Sequence, residues 1–560
     1  MVRSFLQSVG FEVKGMHQAA YLLALFALGS QLLALVRDRL LAAAFGAGHT
    51  LDVYYAAFRV PDFLFATVAS LLSLYALLPV LSRLEHEHPS LVIAFLRNTL
   101  LIFFVAMAAV AGIAFVFTPA LIASIAPGIA QGAGRETLIL LTRILLLQPI
   151  LLGISNLFAN LTQLRHRFFL YSVSPLLYNL GIIFGIVALY PRMGLPGLGW
   201  GVVLGAALHA LVQVPFFFGE KTDRKLSFKE TFKILREVLV LSVPRTLSLA
   251  AGQLTLLCLI ALASILTVGS ISVFTFASNL QAVPLTIIGV SYSVAAFPTL
   301  ARFFADGHRD EFIRHIEGAL RHIIFWSLPA TVLIIVLRAH LVRAVLGAGA
   351  FDWSATRLTA AALALFVVSL LAQAIFLLVA RAYYAAGNTE KPLFLAAVNI
   401  VCSIASAIGL LILFQGSDFF QTLIESLLRV ADVPGTSILM LPLGVSVGSV
   451  IQCTVGLYML SRDFKLPLGG VGRLTFQSFC SSVIGGGAAY FVLQLFGPVV
   501  NTNTLIGIFY QGAAGGITGL AVTAFVLWLL KSKELSEITA AFGRRLGAAG
   551  SVTVEPTDVA

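Results

Sequence analysis

Six charged side chains lie between long apolar stretches near the start of this chain, within residues 37–62. The surrounding sequence is 59% hydrophobic and only 11% charged. An ionised side chain at the centre of a bilayer costs roughly 2.5–3.5 kcal/mol on insertion scales, so these side chains are poorly suited to face lipid. We predict that Arg37, Asp38, Asp52 and Arg59 line an internal polar cavity.

Arginine in such a cavity is suited to binding phosphate. Its planar guanidinium forms bidentate, charge-assisted hydrogen bonds to phosphate oxygens. Arg37 and Arg59 are the strongest candidates, and we expect Arg245, in the seventh apolar segment, to face them.

Each of these residues also has a simpler interpretation. Arg37 could extend to the membrane interface from a helix end. Asp52 follows a glycine-containing turn and could cap the second helix. Arg245 lies near a basic loop and could serve only to orient the chain in the membrane.

Other functional classes have little support. The run Glu85 to His88 is typical of a solvated loop, and the four cysteines lack metal-ligand spacing. No nucleophile-and-base arrangement is recognisable, so we expect no enzymatic activity, metal or cofactor. The net charge of +11 comes from basic residues scattered over short loops, which argues against nucleic acid as a partner.

Apolar segments of about 20 residues recur along the whole chain, and the mean hydropathy is +0.97. We predict an all-α polytopic membrane protein with about fourteen transmembrane helices. The predicted spans are 18–36, 53–80, 92–117, 137–160, 170–190, 197–218, 236–266, 271–300, 318–337, 357–380, 392–414, 437–460, 474–496 and 505–530.

The distribution of Lys and Arg predicts the orientation. Most of the 36 basic residues fall in loops on one side of the membrane, so we expect both termini to be cytoplasmic. The first 16 residues lack an apolar core, and we expect no cleavable signal peptide. Arg338, Arg343 and Arg357 depart from the pattern, because they flank a predicted outward loop.

Two weak repeats suggest a duplicated architecture. Leu78 to Arg83 is similar to Phe297 to Arg302, 219 residues later, and Pro175 pairs with Pro392, 217 residues later. We predict two six-helix lobes around a central cavity, followed by two further helices. The predicted domains are an N-lobe at 1–219, a cytoplasmic linker at 220–235, a C-lobe at 236–465, two helices at 466–535 and a cytoplasmic tail at 536–560.

The run Phe45-Gly46-Ala47-Gly48, with Asp52, Ala57-Phe58-Arg59-Val60-Pro61 and the preceding Arg37-Asp38, resembles the N-terminal signature of the MurJ (MviN) family of lipid II flippases. That family belongs to the multidrug/oligosaccharidyl-lipid/polysaccharide exporter superfamily. Pro244-Arg245-Thr246 with Gln253 is similar to the start of the family's second half.

The resemblance implies a flippase that moves lipid II to the outer leaflet of the bacterial inner membrane by alternating access, for cell-wall synthesis. It implies lipid II, membrane lipids and cell-wall synthesis machinery as partners. It also adds Ser30, Gln31 and Asn279 to the candidate substrate-binding residues.

The match departs from the family pattern at several positions. Gln31, Phe65 and Asn279 stand where the family has arginines, and Ser70 stands where it has an acidic residue. Gln31 and Asn279 could still form hydrogen bonds to a sugar or peptide head group. The missing cations leave alternatives open: a flippase for another polyprenyl-linked glycan, a multidrug-type exporter or a non-transporting envelope scaffold.

Overall fold

The computed structural model describes residues 16–72, 74–165, 167–219, 226–467, 469–496, 504–537 and 539. Within these ranges the chain is almost entirely helical and has no β-strand. The predicted all-α class is therefore confirmed.

The α-helices are numbered along the chain. They are α1 Met16–Phe45, α2 His49–Ala57, α3 Arg59–Thr67, α4 Leu74–Glu87, α5 Pro89–Ile125, α6 Pro127–Ala130, α7 Arg135–Leu145, α8 Leu147–Leu164, α9 Phe168–Phe184, α10 Tyr190–Met193, α11 Leu195–Leu211, α12 Val214–Gly219, α13 Phe228–Ser264, α14 Ser270–Leu285, α15 Ser291–Ala305, α16 Arg309–Leu346, α17 Trp353–Val367, α18 Leu370–Ala385, α19 Glu390–Gly416, α20 Asp418–Leu428, α21 Met440–Phe464, α22 Gly469–Phe496 and α23 Leu505–Leu529. Short 3₁₀ helices lie at Ala69–Leu72 and Thr436–Leu439, and π-helical turns at Gly185–Leu189 and Thr286–Val290.

Among the described residues, 11 helices are long and apolar enough to cross a membrane, or 12 if the bent pair α17 and α18 forms one span. The chain is therefore a multi-pass membrane protein. Each of the fourteen predicted segments coincides with a helix or with consecutive helices. The first two predicted segments, which correspond to α1 and to α2 to α4, are not among the 12 helices that meet the length and hydropathy criteria. The exact count of fourteen stays a prediction.

The second predicted span is broken rather than continuous. Helix α2 ends at Ala57, and α3 begins at Arg59 with Pro61 in its first turn. Proline has no N–H to donate to the preceding turn, so Pro61 is well suited to a helix start, where the first N–H groups have no partner within the helix. Mean hydropathy over a window of about 20 residues does not reveal this break, because the window averages over both helices.

The helices cluster into two compact units. One comprises residues within 1–279, 345–362 and 389–448, and the other comprises those within 280–344, 363–388 and 449–560. These units group residues by contact and do not follow the predicted boundaries at 219 and 236. The predicted lobes stay a hypothesis about the repeat.

In the first unit, α9 and α11 pack through glycines at four-residue spacing. A Cβ added at Gly181 would lie 2.3 Å from the Cα of Gly205, and one at Gly201 would lie 2.4 Å from the Cα of Gly185. The two backbones are thus in direct contact, as in small-xxx-small packing of membrane helices. This packing fixes the relative positions of two helices that contribute to the candidate site.

Candidate functional site

A polar cavity of about 410 Å³ lies within the first unit, among α1, α3, α8, α9 and α11. Its polar lining residues are Ser30, Gln31, Arg37, Asn156, Tyr178, Asn179 and His209. On α1 the lining positions recur at helical spacing, so one face of this helix forms a wall. The cavity therefore contains three of the predicted binding residues: Ser30, Gln31 and Arg37.

A chain of hydrogen bonds holds Arg37 in this wall. Its Nη2 and Nε donate to Asp38 Oδ1 at 2.8 and 3.0 Å, and its Nη1 donates to Asn179 Oδ1 at 3.2 Å. Asn179 Nδ2 donates in turn to Ser30 Oγ at 3.2 Å. On the other side, Asn279 Nδ2 donates to Asp38 Oδ2 at 2.9 Å. These hydrogen bonds link α1, α9 and α14.

This arrangement leaves part of the guanidinium available. A guanidinium has five N–H donors, and the protein uses three of those of Arg37. The side chain keeps 22% of its surface exposed, whereas that of Asp38 keeps 5%. Arg37 can therefore offer donors to an anion in the cavity while Asp38 holds its orientation.

Asp52 has a different position. Its carboxylate accepts hydrogen bonds from the Gly269 N–H at 2.6 Å, the Ser272 N–H at 2.8 Å and the Ser272 hydroxyl at 2.7 Å. It thus caps the N-terminus of α14, rather than its own helix as the simpler interpretation proposed. Gly269 fits this junction because its φ is +93° and an added Cβ would lie 2.4 Å from the Ala47 carbonyl oxygen.

Arg59 is buried, with 8% of its surface exposed. Its Nε donates to the Tyr55 carbonyl oxygen at 3.1 Å, one turn earlier in the chain. The guanidinium would have to leave this position to meet a ligand in the cavity. Its role as a phosphate ligand stays a prediction.

A family model described as lipid II flippase MurJ matches residues 41–510 of the chain. The chain belongs to the MurJ family. The resemblance seen in the sequence is thereby confirmed.

Relatives support this assignment. The lipid II flippase MurJ of Burkholderia cenocepacia is 26% identical over 408 residues, covering 70% of this chain and 76% of that protein. The probable lipid II flippase MurJ of Thermotoga maritima is 30% identical over 391 residues, covering 67% and 77%.

Solved structures show the same fold. A lipid II flippase MurJ in an inward closed conformation superposes with a TM-score of 0.70 at 21% identity, covering 91% of this chain and 99% of that one. An inward-facing multidrug resistance MATE transporter gives a TM-score of 0.63 at 15% identity, covering 78% and 94%.

Of the four substituted positions of this MurJ family member, two line the cavity and two lie outside its lining. Gln31 and Phe65 line the cavity, whereas Asn279 binds Asp38. Ser70 donates to the Ala66 carbonyl oxygen, and its Oγ lies 3.2 Å from Thr246 Oγ1. Among the lining residues that the structure describes, Arg37 is the one with a permanent charge.

Arg245 lies in α13, but its side chain is outside the described part of the structure. Its predicted position opposite Arg37 and Arg59 is therefore untested. It stays a candidate on sequence grounds alone.

Four polar lining residues were not among the predicted binding residues: Asn156, Tyr178, Asn179 and His209. Each is a polar side chain inside a predicted span, which is itself a functional signal in membrane helices. The spacing Gly181-x-x-x-Gly185 and Gly201-x-x-x-Gly205 could also have paired α9 with α11 in advance.

Proposed function

We propose that this protein moves lipid II from the cytoplasmic to the outer leaflet of the bacterial cytoplasmic membrane for cell-wall synthesis, by alternating access. The observation that carries the proposal is Arg37, which lines a polar cavity inside a MurJ fold and has two N–H donors that the described groups of the protein leave unused. The named function of the relatives supports the same substrate.

In this proposal Arg37 binds the diphosphate of the substrate by charge-assisted hydrogen bonds. Ser30 and Gln31 contribute neutral hydrogen bonds from the same wall. Asn279 acts as a positioning residue, because it orients Asp38 and through it Arg37. A cationic drug is a poor fit, since the permanent charge in the lining is positive.

The proposal includes the orientation with both termini in the cytoplasm, for which the Lys and Arg distribution is the support. It also includes the cell-wall synthesis machinery as a partner on the outer side, where the flipped lipid is used. No covalent chemistry is required of the protein.

Binding of lipid II to the detergent-purified protein tests the substrate, by native mass spectrometry. We expect the wild type to bind, Arg37→Ala to lose most of the binding, and Arg37→Lys to keep part of it because Lys lacks the planar fork. Arg192→Ala is a matched control, since that exposed guanidinium donates to the Ala188 carbonyl of its own segment. Absence of binding by the folded wild type would contradict the proposal.

A further inference from the structure

His209 is anchored along one edge by a buried polar cluster. Its Nδ1 lies 2.7 Å from Ser155 Oγ, which also lies 2.9 Å from the His209 carbonyl oxygen. Gln213 Nε2 donates to the same hydroxyl at 2.7 Å. Ser155 and Gln213 are both fully buried, so this edge of the ring is held away from solvent.

The hydrogen count at Ser155 determines which tautomer a neutral His209 ring adopts. The hydroxyl has one hydrogen and two lone pairs. All three short contacts are hydrogen bonds only if Ser155 donates to the carbonyl of His209 and accepts from Gln213 and from His209 Nδ1. The neutral imidazole then carries its hydrogen on Nδ1 and leaves a lone pair on Nε2.

The Nε2 edge of the ring lies opposite this anchored edge. His209 is one of the lining residues of the cavity, and within the described part of the chain no hydrogen bond reaches Nε2. A lone pair on Nε2 repels phosphate oxygens but accepts from O–H and N–H groups. The cavity thus offers two kinds of contact: donors from Arg37 on α1 and an acceptor from α11.

We propose that His209 binds the sugar-peptide head of the substrate, by accepting a hydrogen bond from a hydroxyl or amide N–H at Nε2. This inference rests on the proposed function and assigns different parts of lipid II to different residues. Arg37 binds the diphosphate, and His209 binds the head group.

Two ligands separate these roles: lipid II, and a polyprenyl diphosphate that lacks the sugar-peptide head. His209→Asn keeps an amide donor near the Nδ1 position, toward Ser155, and removes the acceptor at Nε2. We expect this variant to bind lipid II about tenfold more weakly, the cost of about one hydrogen bond, with unchanged affinity for the polyprenyl diphosphate. Arg37→Ala should weaken both.

His209→Gln is the second variant, because its longer side chain returns an amide oxygen to the Nε2 position. We expect it to recover most of the lipid II affinity, and to unfold at a somewhat lower temperature because the hydrogen bond from Nδ1 to Ser155 is lost. If wild type and His209→Asn bound lipid II with equal affinity, or if His209→Asn lost affinity equally for both ligands, the proposed role of His209 would be overturned. The proposed function would not be affected by either result. Failure of the wild type to bind either ligand would overturn the proposed function as well.

Discussion

At the scale of single residues, one carboxylate organises the cavity wall. Asp38 accepts a hydrogen bond from Arg37 at Oδ1 and one from Asn279 at Oδ2. Gln31, in contrast, lines the cavity directly. Gln31 and Asn279, two of the three positions where the family pattern has arginine, therefore differ in what an added cation would do.

We predict that Gln31→Arg tightens lipid II binding at low salt by about tenfold or more, since a charge-assisted hydrogen bond contributes roughly 1.5–3 kcal/mol. Asn279→Arg should give a smaller gain, because its guanidinium would pair with Asp38. The double variant should match or exceed Gln31→Arg. Binding measured at two salt concentrations checks this, and a gain that does not shrink at high salt would contradict it.

We predict that Asp52 contributes to stability more than to substrate binding. Asp52→Ala removes the acceptor of three hydrogen bonds at the start of α14. It should lower the free energy of unfolding by about 1–3 kcal/mol and leave lipid II affinity unchanged. Thermal unfolding in detergent is the measurement, with the exposed Asp306→Ala as control. A selective loss of lipid II binding would restore Asp52 as a ligand.

Arg37 could be placed in the cavity from sequence because a charge between apolar spans is poorly suited to face lipid, and Ser30 and Gln31 followed from the family resemblance. The role of Asp52 could not, because its partners lie 217 and 220 residues away in the chain. A hydrophobic pattern predicts which side chains are buried, but it does not pair helices that are distant in sequence.

At the scale of helices, the predicted spans matched the observed helices because long apolar windows are a strong signal. The break between α2 and α3 and the pairing of α9 with α11 could not be predicted in this way. Both depend on single residues, whose effect is lost when hydropathy is averaged over about 20 positions. Pro61 and the glycine spacing carried that information.

We predict that Gly201→Ala destabilises the protein, because the new Cβ would meet the backbone of Gly185. Overpacking of this kind costs about 1–3 kcal/mol. Gly112→Ala is the matched control in α5, where an added Cβ has nothing within 4 Å. Unfolding temperatures of the two variants in detergent provide the comparison, and equal values would contradict close packing of α9 on α11.

Beyond α23, an ion pair ties the following segment to α16 in the second unit. Arg321 Nε donates to Glu534 Oε1 at 2.8 Å, and Ser532 Oγ donates to Oε2 at 2.8 Å. Burial alone would raise the pKa of Glu534, but these hydrogen bonds and the charge of Arg321 outweigh it and lower the pKa.

A lowered pKa in the folded state means that the carboxylate stabilises the fold above the ordinary pKa of Glu, about 4.3, and that this contribution is lost as the pH falls through the folded value. We predict that Glu534→Gln lowers the unfolding temperature at pH 7 and that the difference from wild type shrinks in acid. A difference independent of pH would point to packing instead.

At the scale of the whole molecule, two arginines outside the predicted cytoplasmic loops, Arg39 and Arg357, have partners nearby. Arg39 Nη1 donates to the Val345 carbonyl oxygen at 3.1 Å. Arg357 forms two hydrogen bonds of 2.6 Å to Asp432 and holds the pKa of that carboxyl below its usual range. The Arg357–Asp432 pair has no net charge and so adds little positive charge to its side of the membrane, whereas the carbonyl partner of Arg39 leaves the charge of that arginine in place.

The excess of Lys and Arg in the loops on one side of the membrane predicts that both termini are cytoplasmic. In a background without native cysteines, His88→Cys should be shielded from an impermeant thiol reagent in intact cells, whereas Ala431→Cys should be labelled. Both positions are exposed in the structure, so accessibility does not limit the reaction. Labelling in the reverse sense would place the termini outside.

Appearance of lipid II at the outer face of cells depleted of their resident lipid II flippase tests the central claim most directly. We predict that the wild-type chain restores both growth and outer-leaflet lipid II, as does Arg192→Ala, and that Arg37→Ala at equal membrane levels restores neither. Restoration by Arg37→Ala to the wild-type level would contradict the role of the cavity. Failure of a correctly inserted wild type would contradict lipid II transport itself.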